Sequence, residues 1–242
     1  MCKILNDSTN LEREEGMLSD VCTNDENKLW KYAVVPLVFN DNMKEELKSF
    51  VRQAMRNISE VSIVKFIEIR CQTDLNHLID YIKIIDKGEF ASYVGRIGNR
   101  QPLYVSNDQN RWPHLIGNAM HKLMHALGFY HEHSHPNRDE YLKVVTSDKN
   151  YDKQESDTVI YGPYDLGSIM HYPLGPNMTS RQEIDIEIGQ RVRLSEGDKK
   201  ALNKLYPNTL EVDQERHLDW LQISCGIVMA FSNHGDTFGL IS

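Results

Sequence analysis

His121-Lys122-Leu123-Met124-His125-Ala126-Leu127-Gly128-Phe129-Tyr130-His131-Glu132 is the stretch on which the reading of this chain turns. Two histidines four residues apart on a helix project from one face. Gly128 can end that helix, because glycine tolerates a left-handed turn. The chain then returns His131 toward the same point. Three neutral imidazoles converging in this way make a zinc site with room for water or substrate. An isolated pair of histidines on a helix is ordinarily a surface or core pair. Here that reading does not explain the further blocks that follow in order along the chain.

The spacing matches H-E-x-x-H-x-x-G-x-x-H, the metzincin signature, at every position but one. The exception is the glutamate that serves as general base on zinc-bound water. Lys122 stands in its place. Downstream lies Ser168-Ile169-Met170-His171-Tyr172, which has the form of a metzincin methionine turn. Together with His131-Glu132-His133 and Arg138-Asp139 it resembles the astacin family of zinc metalloendopeptidases. The likeness runs in family order from about Leu29 to Asn208. It includes Trp30 to Phe39, Ser92-Tyr93-Val94-Gly95-Arg96 with Gln101, Tyr164-Asp165, Ile188-Gly189-Gln190-Arg191, Leu194-Ser195, Asp198 and Leu202 to Tyr206.

The resemblance implies a zinc metalloendopeptidase with an α+β, metzincin-like fold. Such a fold has a twisted mixed sheet with two long helices, then an irregular lower subdomain with a C-terminal helix. It implies His121, His125 and His131 as zinc ligands and Tyr172 as a further ligand that helps stabilise the transition state. Met170 becomes the floor of the metal site. Glu132 either organises the mature amino terminus, as in the family, or is a plain surface carboxylate. His133 and His135 are not expected to be ligands. Arg138 and Asp139 are expected to be structural. Arg96, Gly98 and Gln101 fall on the strand expected to pair with an extended peptide. Arg181, Arg191 and Arg193 either shape an acidic preference beyond the scissile bond or are solvated surface.

Lys122 leaves three readings open. In the first, the chain is a metalloendopeptidase by descent whose activity is strongly impaired, because a protonated amine accepts no proton and opposes the metal charge. The second is a pseudoprotease that binds extended peptides or a protein partner. The third is a lysine with a depressed pKa that acts as base or extra ligand.

Composition bounds the rest. The chain has 242 residues, 40% of them hydrophobic, with net charge −8. Its pI is about 5.7 and its mean hydropathy −0.51. These values suit a globular domain and argue against a nucleic-acid surface. The longest apolar stretch, Ile223 to Phe231, is too short to span a bilayer. A monomer is expected. The resemblance implies an extracellular protein, yet no apolar signal segment follows Met1. The chain is therefore read as a truncated product, a mature fragment or an intracellular relative. N-x-S/T sequons stand at Asn6, Asn57 and Asn177. Ile63, Phe90 and Asn208 occupy places where the family carries cysteines, so a domain without the family disulfides is expected, as in bacterial-type members.

Domain boundaries follow. Residues 1–28 are expected to be a polar lead or propeptide remnant, 29–208 the metalloprotease-like domain, and 209–242 an unassigned tail. Strands are expected at 34–39, 66–70, 78–85, 93–96 and 103–105. One helix is expected after Asp41 as N-cap, with Met43, Leu47, Phe50, Val51, Ala54 and Ile58 as its inward stripe. A second runs from Pro113 to Gly128, and a third from Ser195 to Tyr206.

Overall fold

A computed structural model of the chain describes residues 3–4, 21–69, 80–154, 158–225 and 229–230. Arg70, Leu78 and Ile79 of two expected strands, Cys2, Cys71 and the sequon at Asn6 lie outside them.

The upper half is a seven-stranded mixed sheet with two helices packed on it. In chain order the strands are β1 (Lys3–Ile4), β3 (Val34–Phe39), β4 (Lys65–Glu68), β5 (Tyr81–Asp86), β6 (Ala91–Ser92), β7 (Arg100–Val105) and β11 (Met229–Ala230). Their order across the sheet is β1-β6-β7-β5-β3-β4-β11. The central strands β4, β3, β5 and β7 run parallel, while β6 is antiparallel to β7. Side chains alternate along each strand. Val35, Leu37, Phe66, Ile82, Ile84, Leu103 and Val105 all enter the main core, whereas Val34, Ile67, Ile69 and Tyr81 cluster separately.

Helix α1 (Glu45–Ser59) and helix α2 (Leu115–Ala126) cover the main-core face. Leu47, Val51, Ala54 and Ile58 of α1 are buried as the spacing requires. The helix starts later than Asp41, with an uncapped Lys44 at its N-cap position. Met43 is the reason. It is buried, and a turn closed by its N–H on the Asn40 carbonyl (3.0 Å) must first deliver it to the core. Helix α2 is buried almost all round. Gly117 lets it lie directly against the backbone of Arg191, where an added Cβ would fall 1.6 Å from the carbonyl oxygen.

The lower half is irregular. It holds the small sheets β8 (Leu142–Val144) with β10 (Met178–Ser180) and β2 (Val21–Thr23) with β9 (Thr158–Ile160), then helix α3 (Glu196–Leu205). Ser195 caps α3 in a reciprocal capping box with Asp198.

Four expectations need correction. The lead is not wholly outside the domain: Val21–Thr23 is buried and paired to β9, and Lys3–Ile4 pairs parallel with β6. The strand expected at 93–96 is instead the short Ala91–Ser92. The chain then turns through Gly95 and Gly98, both at positive φ. Arg96 and Gly98 consequently lie in that turn, and of the three residues expected on the strand only Gln101 is on one. Gln101 lies in β7, buried, with its side chain closing the turn on the Gly95 carbonyl and the Ile97 N–H (both 3.0 Å). Arg96 is engaged by Asp80 and by the Leu29 carbonyl. Finally, the tail packs on the domain. Helix α4 (Glu211–Cys225) buries Gln214, whose amide donates to the Tyr32 and Ile63 carbonyls (both 2.8 Å). Leu218 joins the second cluster, and β11 pairs with β4.

Ile63 packs half-buried on the core and Phe90 sits edge-on to Trp112 (5.3 Å). Both side chains contribute apolar packing at these positions. Cys22 is buried and stands in no disulfide.

Candidate metal centre

Helix α2 presents His121 and His125 one turn apart, and their rings meet edge to face with centroids 4.6 Å apart. The helix ends where Gly128 takes a φ of 108° and its N–H donates to the His125 carbonyl (2.8 Å). A Cβ at Gly128 would also crowd Thr23, at 3.0 Å. The reversed chain is then pinned by β2: Thr23 N–H donates to the Gly128 carbonyl and Tyr130 N–H to that of Val21. His131 is thereby swung back over α2, and Glu132 N–H bonds the Met170 carbonyl (3.2 Å).

The three Nε2 atoms converge. His125 Nε2 lies 3.1 Å from that of His121 and 3.1 Å from that of His131. Among the described residues these three are the only grouping of metal-ligating side chains of this kind. The outer nitrogens are committed elsewhere: His121 Nδ1–H donates to the Ile169 carbonyl and His125 Nδ1–H to that of Phe129, each at 2.7 Å. This fixes the tautomer and leaves bare lone pairs facing one another. Burial pushes all three imidazoles well below their ordinary pKa, and the Lys122 charge adds to the effect on each. Neutral histidines with converging lone pairs are the donor set a cation requires. A 3.1 Å nitrogen separation also fits roughly 100° at a metal with bonds of about 2.0–2.1 Å. The residues present therefore fit a zinc ion.

Met170 and Tyr172 are buried beneath this group. The Tyr172 ring lies 4.3 Å from that of His131, centroid to centroid. The turn Ser168–Tyr172 is held from below by α3. The Asp198 carboxylate, wholly buried, accepts from Ser168 Oγ (2.7 Å), Ile169 N–H (3.0 Å) and Ser195 N–H (2.7 Å). Asp165 accepts from Ser195 Oγ (2.5 Å), and its N–H donates to Glu132 (2.8 Å). A carboxylate at the start of α3 thus supports the very residue whose carbonyl orients His121. Asp198 and Asp165 were visible in the sequence only as family-like letters. The capping pattern Ser195-x-x-Asp198 signals a helix start, but nothing in it announces the reach to Ile169.

Lys122 is fully buried, and its carbonyl accepts from Ser92 Oγ on β6 (3.1 Å). Glu132, His133 and His135 are buried as well, with His133 and His135 outside the donor triplet. Arg138 ties two loops together, donating to the His133 carbonyl (3.0 Å) and to that of Tyr151. Beside the triplet opens a cavity of about 310 Å³, bounded by Trp112, Asn118, Tyr151, Tyr172, Pro173 and Arg191. Arg181 and Arg193 do not line it.

Comparison with known proteins agrees with this geometry. The model of the astacin peptidase family matches residues 22–207. Zinc metalloproteinase nas-39 of Caenorhabditis elegans is 32% identical over 216 residues, covering 80% of this chain and 22% of that protein. The low choriolytic enzyme of Oryzias latipes is 32% identical over 185 residues, 71% of this chain and 65% of the enzyme. The chain thus spans less than two thirds of the length of these relatives. Among solved structures, high choriolytic enzyme 1 of Oryzias latipes, a hatching-enzyme zinc protease, superposes with a TM-score of 0.60 at 26% identity. That match covers 75% of this chain and 92% of the other. Myroilysin shares the fold, with a TM-score of 0.58 at 19% identity over 78% and 98% of the two chains.

Proposed function

This chain belongs to the astacin family of metallopeptidases, and on that premise we propose that it binds zinc and an extended peptide but hydrolyses the peptide very poorly. His121, His125 and His131 would hold the ion, and Tyr172 would supply a further oxygen ligand. When bound, zinc acidifies water and polarises a peptide carbonyl. The chain itself has to position the peptide, accept a proton from that water and return it to the leaving amine.

The observation that carries the reading is Lys122, buried directly beside His121 on α2. The position one residue after the first histidine is rotated about 100° around the helix, and it is where the family signature carries its general base. A carboxylate there accepts the proton, whereas an ammonium does not. Loss of a positioned general base costs roughly 10²–10⁴-fold. The converging His triplet, the Ser168–Tyr172 turn and the adjoining cavity support the rest of the reading.

Arg191 gives that cavity its preference. Its guanidinium donates to the carbonyls of His171 (3.0 Å), Gly189 (3.2 Å) and Gln190 (2.8 Å). Held in this way, it places a cation at the wall that favours an acidic side chain in the peptide.

Lys122→Glu tests the reading. Wild-type protein is expected to hold up to one zinc ion and to show no hydrolysis above a chelator-treated control. The Lys122→Glu protein is expected to gain hydrolysis of a peptide library by roughly 10²-fold or more. Hydrolysis by the wild type that vanishes in Lys122→Ala would instead make a neutral lysine the base. If both proteins bind zinc and peptide yet Lys122→Glu stays silent, the chain is a pseudoprotease with a peptide- or protein-binding role. Purification without chelators that yields no zinc, with none taken up on addition, would end the metal reading.

A further inference from the structure

We propose that His133 is a positioning residue that holds the phenol ring of Tyr172 against the metal side of the cleft. The inference rests on the reading of Tyr172 as the oxygen ligand.

The His133 ring stacks on Tyr172 with centroids 4.2 Å apart and planes at 28°. It also stacks on His131, at 5.0 Å and 28°. Tyr172 in turn flanks His131 and meets Tyr151 edge-on at 5.8 Å. The His133 ring is therefore the flat surface shared by one imidazole of the donor triplet and the tyrosine.

That surface is itself fixed. His133 Nε2–H donates to the Asn150 carbonyl (2.9 Å), and the His133 carbonyl receives Arg138 Nη1 (3.0 Å). One bond sets the ring's rotation and the other its backbone. Among the described residues Nδ1 of His133 is buried with no hydrogen-bond partner. A buried bare nitrogen is destabilising, so hydrogen bonding satisfies only half of the ring's polar atoms. What the ring does complete is the stack. Tyr172 cannot leave the His131 side without sliding off His133. An aromatic pair of this kind biases a two-position equilibrium by roughly 2- to 12-fold.

Copper(II) bound in place of zinc tests this, because a phenolate on copper produces a visible charge-transfer band. The band is expected in the wild type and absent in Tyr172→Phe. His133→Gln keeps reach to the Asn150 carbonyl but loses the ring. His133→Phe keeps a ring but loses the bond. At equal copper loading the band is expected to persist in His133→Phe and to fall about 2-fold or more in His133→Gln. If circular dichroism shows His133→Gln unfolded, His133→Leu replaces it with the same expectation.

A wild-type band in the ringless variant overturns the proposal. Equal loss in His133→Phe and His133→Gln also overturns it, by giving the effect to the hydrogen bond. Copper held by the wild type with no band refutes Tyr172 as ligand and this inference with it, leaving the three-histidine site intact. No copper binding at all refutes the metal reading itself.

Discussion

The two halves of this molecule are held together by different physics. Above the cleft, α1 and α2 bury an aliphatic and aromatic core against the sheet, with Phe66, Phe129, Leu37 and Ile84 wholly enclosed. Below it, the interior is built from His131, His133, His171, Tyr151, Tyr164 and Tyr172, tied by hydrogen bonds and stacking. Apolar burial is indifferent to pH and falls off with lost area. A polar interior is conditional, because each group needs its partner and its protonation state. The candidate metal site lies where the two meet: α2, Ile169 and Met170 belong to the apolar core, while His131 and Tyr172 belong to the polar network.

Acid should separate the halves most strongly. Burial lowers the pKa of His133 to about 3 and of His135 and His171 to about 4. Their folded values lie below the ordinary 6.5, so the unfolded chain takes up protons first as pH falls. The stability they carry is whole above about pH 6.5 and is lost on the way to about pH 4, at most roughly 3 kcal/mol for each. Asp198 works the other way. Burial raises it to about 6, so between the usual carboxylate pKa and that value the folded state holds the extra proton. One group against these three, and against the three histidines of the donor triplet that burial lowers as well, leaves a net loss. Denaturant titrations from about pH 7 to 4 should show it. Hydrogen exchange should report earlier opening of the lower backbone, for example at Ser168–Tyr172, than of α1. Simultaneous opening of both halves would erase the distinction.

A core truncation sharpens the contrast. Phe66→Ala should cost roughly 3–5 kcal/mol with no added pH dependence, measured by urea unfolding at neutral and mildly acidic pH. A cost that grows on acidification would mean that the sheet core and the histidine network unfold as one unit.

Asp198→Asn probes the seam. The amide still accepts but carries no charge, and it presents an NH₂ in place of one of the two carboxylate oxygens that receive two backbone N–H groups and a hydroxyl. Weaker support of the Ile169 turn should lower zinc affinity roughly 10-fold, read by chelator competition, with a smaller loss of stability of about 1–3 kcal/mol. Unchanged zinc affinity would show that the His121–Ile169 bond does not depend on α3.

Much of the upper half was legible in the chain. The alternation of Val35 and Leu37 with Val34, the inward stripe of α1 and the Ser195 cap are local patterns, and local patterns survive into the fold. The His121, His125 and Gly128 spacing is local too, since it depends on helix pitch and one glycine. What was illegible depends on contacts beyond the local pattern. Gln101 looked like an exposed strand residue, yet it is buried because its own side chain closes the Gly95–Ile97 turn. Val21–Thr23 looked like a polar lead but is paired to residues 158–160 and to the loop after Gly128. Helix α4 has no strong amphipathic pattern, and its seat depends on Gln214 reaching two backbone carbonyls on distant segments.

The sequence by itself determined the chemistry available: three histidines at metal-binding spacing, a methionine followed two residues later by a tyrosine, and a lysine where the family signature has glutamate. Residue types and short-range spacing suffice for that, because a helix turn and a glycine reversal are set by backbone sterics alone. Only the tertiary structure decided that Lys122 is buried at the site, that Asp198 supports the turn whose carbonyl orients His121, and that His133 lies flat against Tyr172. Those relations join segments 30 or more residues apart, and they exist only once hydrophobic burial has brought the two halves together.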